Sequence, residues 1–395
     1  MSEHDAGPGG RIREAATVFR VFFTVGALAF GGPAATQGLV YSKAVVQLNW
    51  ISERDFLDLM GVVNLLPGPN AVEMAMHIGR MRAGRLGFLA GGLAFMLPGS
   101  VIAAFLAAAY VRYGDTPSAE AVLYGVKPVV IAVTAWAAWR LARSVGLTLP
   151  RVVAMVGALG LYLAGINETV VLLGLGVIAA LVCVARERRR TDTKNASVGT
   201  LLGLIPGWPE RATTAVADRS GIGMDQIALV FLKAGALMFG GGTVLLAVLR
   251  TEVVVNQGWL TEAELLEAIT IGQVTPGPIL TTATFVGYLL AGSAGAIVAT
   301  VAALIPSFAL MTLARPLIVL LRRSPPTKAF LQGVTMAAVG VVAAVTIELG
   351  GDALVDPLTI VEAVLAMTVL LWRPKLALAL IFAGALAGAA TAIWG

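Results

Sequence analysis

Charge is scarce in this chain of 395 residues: 13% of it is Asp, Glu, Lys or Arg, against 58% hydrophobic residues. A soluble domain of this length needs far more polar surface to cover itself, and the mean hydropathy of +0.86 says that water is not its main solvent. Cysteine is nearly absent. Cys183 stands alone in the apolar run Thr169–Ala185, which excludes a disulfide within the chain and reads as a small buried apolar residue. Of the two histidines only His77 falls in the apolar part, and there is no HExxH, GxSxG or phosphate-binding Gly-Lys-Ser/Thr loop. Zinc peptidase, serine hydrolase and ATP-driven chemistry therefore lack their residues, and no metal site or cofactor is expected. Met1 to Gly10 lacks the basic segment and cleavable apolar core of a signal peptide, so the first apolar segment is expected to be retained.

What the chain has is long apolar runs. Leu86–Val111 is 26 residues without a charge, and Ala294–Ala314, Ala329–Ile347 and Leu376–Trp394 are also of spanning length. A bilayer core of ~30 Å takes roughly 20 residues of helix, so each can cross, and the first is long enough to tilt or to bend at Pro98. The net charge of +5 is read as arginine retained in cytoplasmic loops, not as a nucleic-acid surface.

The chain also repeats itself. At an offset of 209, Gly26-Ala27-Leu28 falls on Gly235-Ala236-Leu237, Phe30-Gly31-Gly32 on Phe239-Gly240-Gly241, and Trp50 on Trp259. Asn64 falls on Gln273 and Pro67-Gly68-Pro69 on Pro276-Gly277-Pro278. One residue is then lost, and at 208 Gly79, Ala83-Gly84, Gly87 and Pro98 fall on Gly287, Ala291-Gly292, Gly295 and Pro306. Repeated modules set the architecture, and in transporters they pack about a pseudo-twofold axis with the substrate between them.

Charge placement makes the repeats inverted. The turn after the first Pro-Gly-Pro carries Arg80, Arg82 and Arg85, while its counterpart from Gly287 to Gly295 has no charge. The ends of the following long helices show the reverse, with Arg315, Arg322, Arg323 and Lys328 in the second copy against a weakly acidic Arg112 to Glu120 in the first. Equivalent loops thus carry opposite signals and lie on opposite sides. The side of the N-terminus stays open, because symmetry and Arg11 with Arg13 disagree.

Between Phe19 and Gly79 the apolar stretches are short and cut by Gly31-Gly32-Pro33 and Pro67-Gly68-Pro69; the second copy is cut at Gly240-Gly241-Gly242 and Pro276-Gly277-Pro278. Proline removes a donor and glycine permits backbone that other residues avoid. Helices broken inside a bilayer survive only where protein or a watery cavity surrounds them, and matched breaks in two halves point to a transport site. A half-helix starting at Pro33 or Pro69 aims N–H groups and partial positive charge at that site, which suits an anion. Thr36, Asn64, Asn70, Thr243, Gln273, Thr275, Thr281 and Thr282 supply polar contacts nearby. The competing reading is that the breaks only bend helices or allow close packing.

Glu73, His77 and Arg80 lie at i, i+4 and i+7, one helical face with Asn70 before it. Two readings stay open: a proton-coupling stripe, or a face that rises into solvent. Lys127 and Lys233 either neutralise an anion or snorkel. Glu53 with Glu262, and Asp58 with Glu267, are read as capping or solvating helix starts.

At these residues the chain resembles the chromate ion transporter family, long two-domain type. The matching pieces are Phe30-Gly31-Gly32-Pro33, Leu65-Leu66-Pro67-Gly68-Pro69, and the run Phe231 to Gly242 followed by Trp259-Leu260-Thr261-Glu262 and Gly272-Gln273 before Pro276-Gly277-Pro278. The resemblance covers nearly the whole chain. It implies an inner-membrane exporter of chromate, with sulfate as a related tetrahedral dianion, driven by membrane potential or a proton gradient. Three positions depart from the family's usual pattern: Thr36 where histidine is common, Asn64 where glutamine is, and Glu73 where a neutral polar residue is.

The expected fold is all-α and polytopic: a polar tail at 1–14, a first repeat at 15–185, a basic cytoplasmic linker at 186–223 and a second repeat at 224–395. The expected function is secondary transport of a small oxyanion by alternating access in a bacterial inner membrane. A passive anion channel and an intramembrane enzyme at Glu73 and His77 are the competing classes. Expected partners are a small inorganic anion and membrane lipids, with no nucleic acid and a homodimer left open.

Overall fold

The computed structural model describes residues 8–29, 32–63, 66–114, 116–190, 222–239, 243–373 and 376–394. All regular structure among them is helical. The first repeat runs α1 (Pro8–Ala27), α2 (Gly32–Tyr41) continued by a π-helical turn (Ser42–Gln47), α3 (Glu53–Val63), α4 (Asn70–Tyr113), α5 (Pro117–Val145), α6 (Leu149–Leu163) and α7 (Glu168–Arg190). The second runs α8 (Met224–Ala236), α9 (Thr243–Leu249) with a π turn (Arg250–Asn256), α10 (Glu262–Val274), α11 (Thr281–Arg323), α12 (Pro325–Ala353), α13 (Pro357–Trp372) and α14 (Ala377–Trp394). Helices α4, α5, α7, α11 and α12 are long and apolar enough to cross a membrane. Most of the linker, residues 191–221, lies outside the described residues.

Helix starts follow local chemistry. Ser52 caps α3 through the Asp55 amide, and Thr261 caps α10 in a reciprocal box with Glu264. Asp356 caps α13, and the Tyr124 hydroxyl followed by the Thr359 amide holds its carboxyl below the usual range.

Helices α4 and α11 are hairpins, not single rods. Ala83 (φ −131°, ψ 23°) and Gly84 (φ 61°, ψ −138°) reverse α4, and Ala291 (φ −150°, ψ 33°) and Gly292 (φ 61°, ψ −150°) reverse α11 in the same way. A positive φ near 60° costs an L side chain about 1–2 kcal/mol, which is why both second positions are glycine. The two arms then touch backbone to backbone: a Cβ on Gly79 would overlap the Gly87 carbonyl, and one on Gly287 the Gly295 carbonyl. The backbone is non-helical at Ala83–Gly84, whereas Pro98 sits inside a continuous helical arm.

The repeats are inverted. Tyr124, near the start of α5, bonds Asp356 just beyond the end of α12, while Ala142 near the end of α5 clusters with Val339 in the middle of α12. These equivalent helices therefore run in opposite directions. The N-terminus is placed as well: Glu14 pairs with Arg82 at 3.0 Å, and the Arg82 guanidinium lies 5.4 Å from the Trp50 ring centroid. The start of α1 thus lies on the side of the Arg80–Arg85 turn, as Arg11 and Arg13 indicate. In a chain with Cys183→Ala, single cysteines at the exposed positions Met81 and Ser293 should label from opposite faces of oriented vesicles. Labelling of both from one face would reject this arrangement.

Candidate functional site

Each Pro-Gly-Pro segment is tied to the other repeat. Gly68 N–H donates to the Met238 carbonyl at 2.8 Å, and Gly277 N–H donates to the Ala29 carbonyl at 2.8 Å. Met238 and Ala29 are themselves equivalent at the offset of 209, each one residue before the Phe-Gly turn of its repeat. Both are buried, so these are reciprocal backbone bonds in an apolar setting, where leaving a donor unpaired costs about 1–3 kcal/mol.

The second arms of the hairpins complete the crossing. Gly99, after Pro98, lies so close to Pro276 that a Cβ there would overlap the Pro276 carbonyl and press on Thr281. At the equivalent place Ser307, after Pro306, lies against Gly68 together with Glu73. Thr284 on α11 donates to Ser100 at 3.3 Å across the same interface.

Of the expected site residues, Gly68, Pro69, Asn70, Thr275, Pro276, Thr281 and Thr282 are buried, and Pro67, Gln273, Gly277 and Pro278 are half-buried. Thr36 is buried in α2. Gly31, Asn64 and Gly240 to Gly242 lie outside the described residues, and Gly32, Pro33 and Thr243 are described only as helical backbone at the starts of α2 and α9. The Thr275 hydroxyl donates to the Ile271 carbonyl at 2.7 Å and Thr281 to Pro278 at 3.2 Å, so both are engaged locally. Ser307 and Gly99 were not anticipated, although the matched Pro98 and Pro306 beside them were the available signal.

Glu73, His77 and Arg80 do share a face of α4, graded from the fully buried Glu73 to half-buried His77 and Arg80. Arg80 reaches the Phe88 ring at 6.0 Å. The two lysines are not free charges: Lys127 pairs with Glu267 at 2.8 Å, and Lys233 with Glu252 at 2.5 Å and Glu168 at 3.9 Å. Glu267 also accepts from the Tyr110 hydroxyl, and Glu262 pairs with Arg250 at 2.6 Å. Both carboxylates tie elements together; the helix starts are capped by other residues.

Two cavities lie away from the crossing. One of about 700 Å³ is walled by α4, α5 and α12, with Lys127, Glu267, Glu120 and Asp352 among its lining. One of about 280 Å³ lies among α5, α13 and α14. At the crossing Gly68 and Gly99 are closely enclosed by their neighbours.

Two inverted repeats whose interrupted helices interlock at a buried centre define a polytopic membrane protein of the ion-transporter class. The sequence comparisons give the family. The chromate transporter model matches residues 16–181 and 226–389, one match per repeat, and the chain belongs to that family. It is 34% identical to a probable chromate transport protein of Synechococcus elongatus, over 88% of this chain and 87% of that one. It is 31% identical to a chromate transport protein of Cupriavidus metallidurans over 92% and 90%, and 32% identical to one of Pseudomonas aeruginosa over 84% and 80%. No solved structure matches the chain significantly.

Proposed function

We propose that this protein exports chromate, or a tetrahedral dianion like it, across a bacterial inner membrane by alternating access of one repeat against the other. The observation that carries the reading is the pair of reciprocal Gly–carbonyl bonds at the duplicated Pro-Gly-Pro breaks. They tie two equivalent, oppositely oriented repeats to each other at matched places, the two-fold arrangement of carriers in which one repeat rocks against the other. The first arm of α4 starts at Asn70, so its positive end faces the crossing and favours an anion. Chromate as the cargo comes from the relatives, which are chromate transport proteins, one of them a probable one. Because Gly68 and Gly99 are closely enclosed here, an anion reaches them only when the halves part, which favours a carrier over a permanently open pore.

Everted membrane vesicles from expressing cells are expected to take up radiolabelled chromate saturably, with sulfate as competitor. Vesicles with verified protein and no uptake above the empty-membrane control would remove chromate as the cargo. Flux that never saturates would replace the carrier with a channel.

A further inference from the structure

Glu73 stands out among the buried polar groups. Its side chain has 0% exposure, and neither carboxyl oxygen has a hydrogen-bond partner. The Ser307 hydroxyl, also at 0% exposure, likewise has none, and both groups converge on the same spot beside Gly68. At the equivalent turn of the other repeat the Thr282 hydroxyl is the third such group. In a packed interior such groups are nearly always bonded, so this clustering at the crossing calls for an explanation.

The surroundings decide the charge state. Helix α11 carries no acidic or basic side chain from Thr281 to Leu313, its one titratable group there being Tyr288; α1 has none from Val21 to Ala27, and α2 only Tyr41 at its far end, whose hydroxyl donates to Glu53. The segment after α8 reaches this place through Met238, and Lys233 of α8 is already paired with Glu252 and Glu168. Of α3, Glu53, Arg54 and Asp55 are exposed in its first turn and Asp58 stands at mid-helix, and Glu267 of α10 is held by Lys127. On α4 itself His77 is one turn away and Arg80 two turns. An ionised carboxylate with no donor and no cation is very costly to bury, whereas a neutral acid costs only its unmade hydrogen bonds. The neutral acid has what an oxyanion needs, an O–H to donate, and it sits in the first turn of a half-helix whose positive end faces the same place.

We propose that Glu73 is an anion ligand in its protonated form, donating its O–H to the bound oxyanion beside the Ser307 hydroxyl, so that one proton and one anion occupy the crossing together. The inference rests on the anion-carrier reading above. Loss of the proton turns the donor into a second negative charge at the site, so anion affinity falls as pH rises.

The test is chromate uptake into everted vesicles from mildly acidic to mildly alkaline pH, comparing wild type with Glu73→Gln and Glu73→Ala. Glutamine keeps the volume and an N–H donor but cannot ionise. Comparing the proteins at each pH cancels any change in the chromate ion. The wild-type KM should climb above the titration toward about tenfold per pH unit, the slope for one linked proton. Glu73→Gln should follow it at low pH and then stay flat relative to it, while Glu73→Ala should have a raised KM at every pH and the same flat profile. A wild type with no more pH dependence than the glutamine variant overturns the proposal but leaves chromate transport intact. A glutamine variant that keeps the wild-type slope does the same. If the substitutions prevent insertion, the wild-type profile alone still decides: no rise in KM with pH ends the idea. Wild-type vesicles that carry no chromate remove the underlying reading and this inference with it.

Discussion

Gly68→Ala is expected to lower chromate uptake at least about tenfold and to destabilise the detergent-solubilised protein, while Gly277→Ala does much less. The two glycines are equivalent in sequence and make equivalent backbone bonds, to Met238 and Ala29. Their surroundings differ. Gly68 has φ +154° and Gly277 φ +106°, so alanine strains the backbone at either place, by on the order of 1–3 kcal/mol. At Gly277 the new methyl would find its nearest neighbours, Gly99 Cα and Thr281 Cγ2, at an ordinary 3.8 Å. At Gly68 it would overlap Glu73 Oε1 and press on Ser307 Oγ, both wholly enclosed and with no solvent to retreat into. Overpacking of that kind adds about 1–3 kcal/mol. It also pushes Gly68 N–H away from the Met238 carbonyl, loosening one of the two bonds across the crossing. Melting temperatures and vesicle uptake for the two variants check this. Equal damage at both positions would mean that the space around Gly68 is not what limits it.

The difference between Gly68 and Gly277 also shows what the sequence could and could not reveal. Self-similarity carried the architecture, because a duplicated chain must place equivalent residues equivalently. The offset of 208 that aligned Pro98 with Pro306 also aligns α5 (Pro117–Val145) with α12 (Pro325–Ala353), residue for residue at both ends. Ala83-Gly84 and Ala291-Gly292 were readable as turns because glycine there permits a φ that other residues resist. The opposite charges of equivalent loops were readable because arginine is costly to translocate. Long-range pairing was not. Nothing local in Lys127 announces Glu267, 140 positions later, and periodicity cannot show that Lys233 is already neutralised by Glu252. The π-helical turns after Tyr41 and Leu249 were equally hidden, since no residue type in them forces the wider winding. At the crossing, Ser307 was missed because a lone serine in an apolar run carries no periodic signal, and only the folded backbone brings it to Gly68.

Arg250→Met is expected to destabilise the protein by about 2 kcal/mol, and a triple variant that adds Glu262→Gln and Glu348→Gln should recover most of that loss. Arg250 begins the second π turn and reaches three other elements. Its guanidinium makes a two-point contact with Glu262 of α10, Nη2 to Oε1 at 2.6 Å and Nε to Oε2 at 3.1 Å. It lies 2.8 Å from Glu348 of α12 and donates to the Tyr162 hydroxyl of α6 at 3.2 Å. A fork on a carboxylate is a strong, directional contact, so this one side chain fixes how three helices meet. Removing it leaves two carboxylates facing each other without a cation, and that uncompensated charge accounts for most of the cost. In a dry core the loss would be about 3–5 kcal/mol. Here the Glu262 and Glu348 side chains remain 30% and 28% exposed, and solvent screening brings the figure down. Neutralising both acids removes the repulsion and leaves only the lost bonds, hence the recovery. The first repeat provides an internal comparison: its equivalents are Tyr41 and Glu53, joined by a neutral donor at 3.1 Å. The same element contact therefore forms without an arginine when only one carboxylate has to be held. Thermal melts of the single and triple variants in detergent decide the matter. A triple variant no more stable than Arg250→Met would show that the arginine acts through packing, not charge.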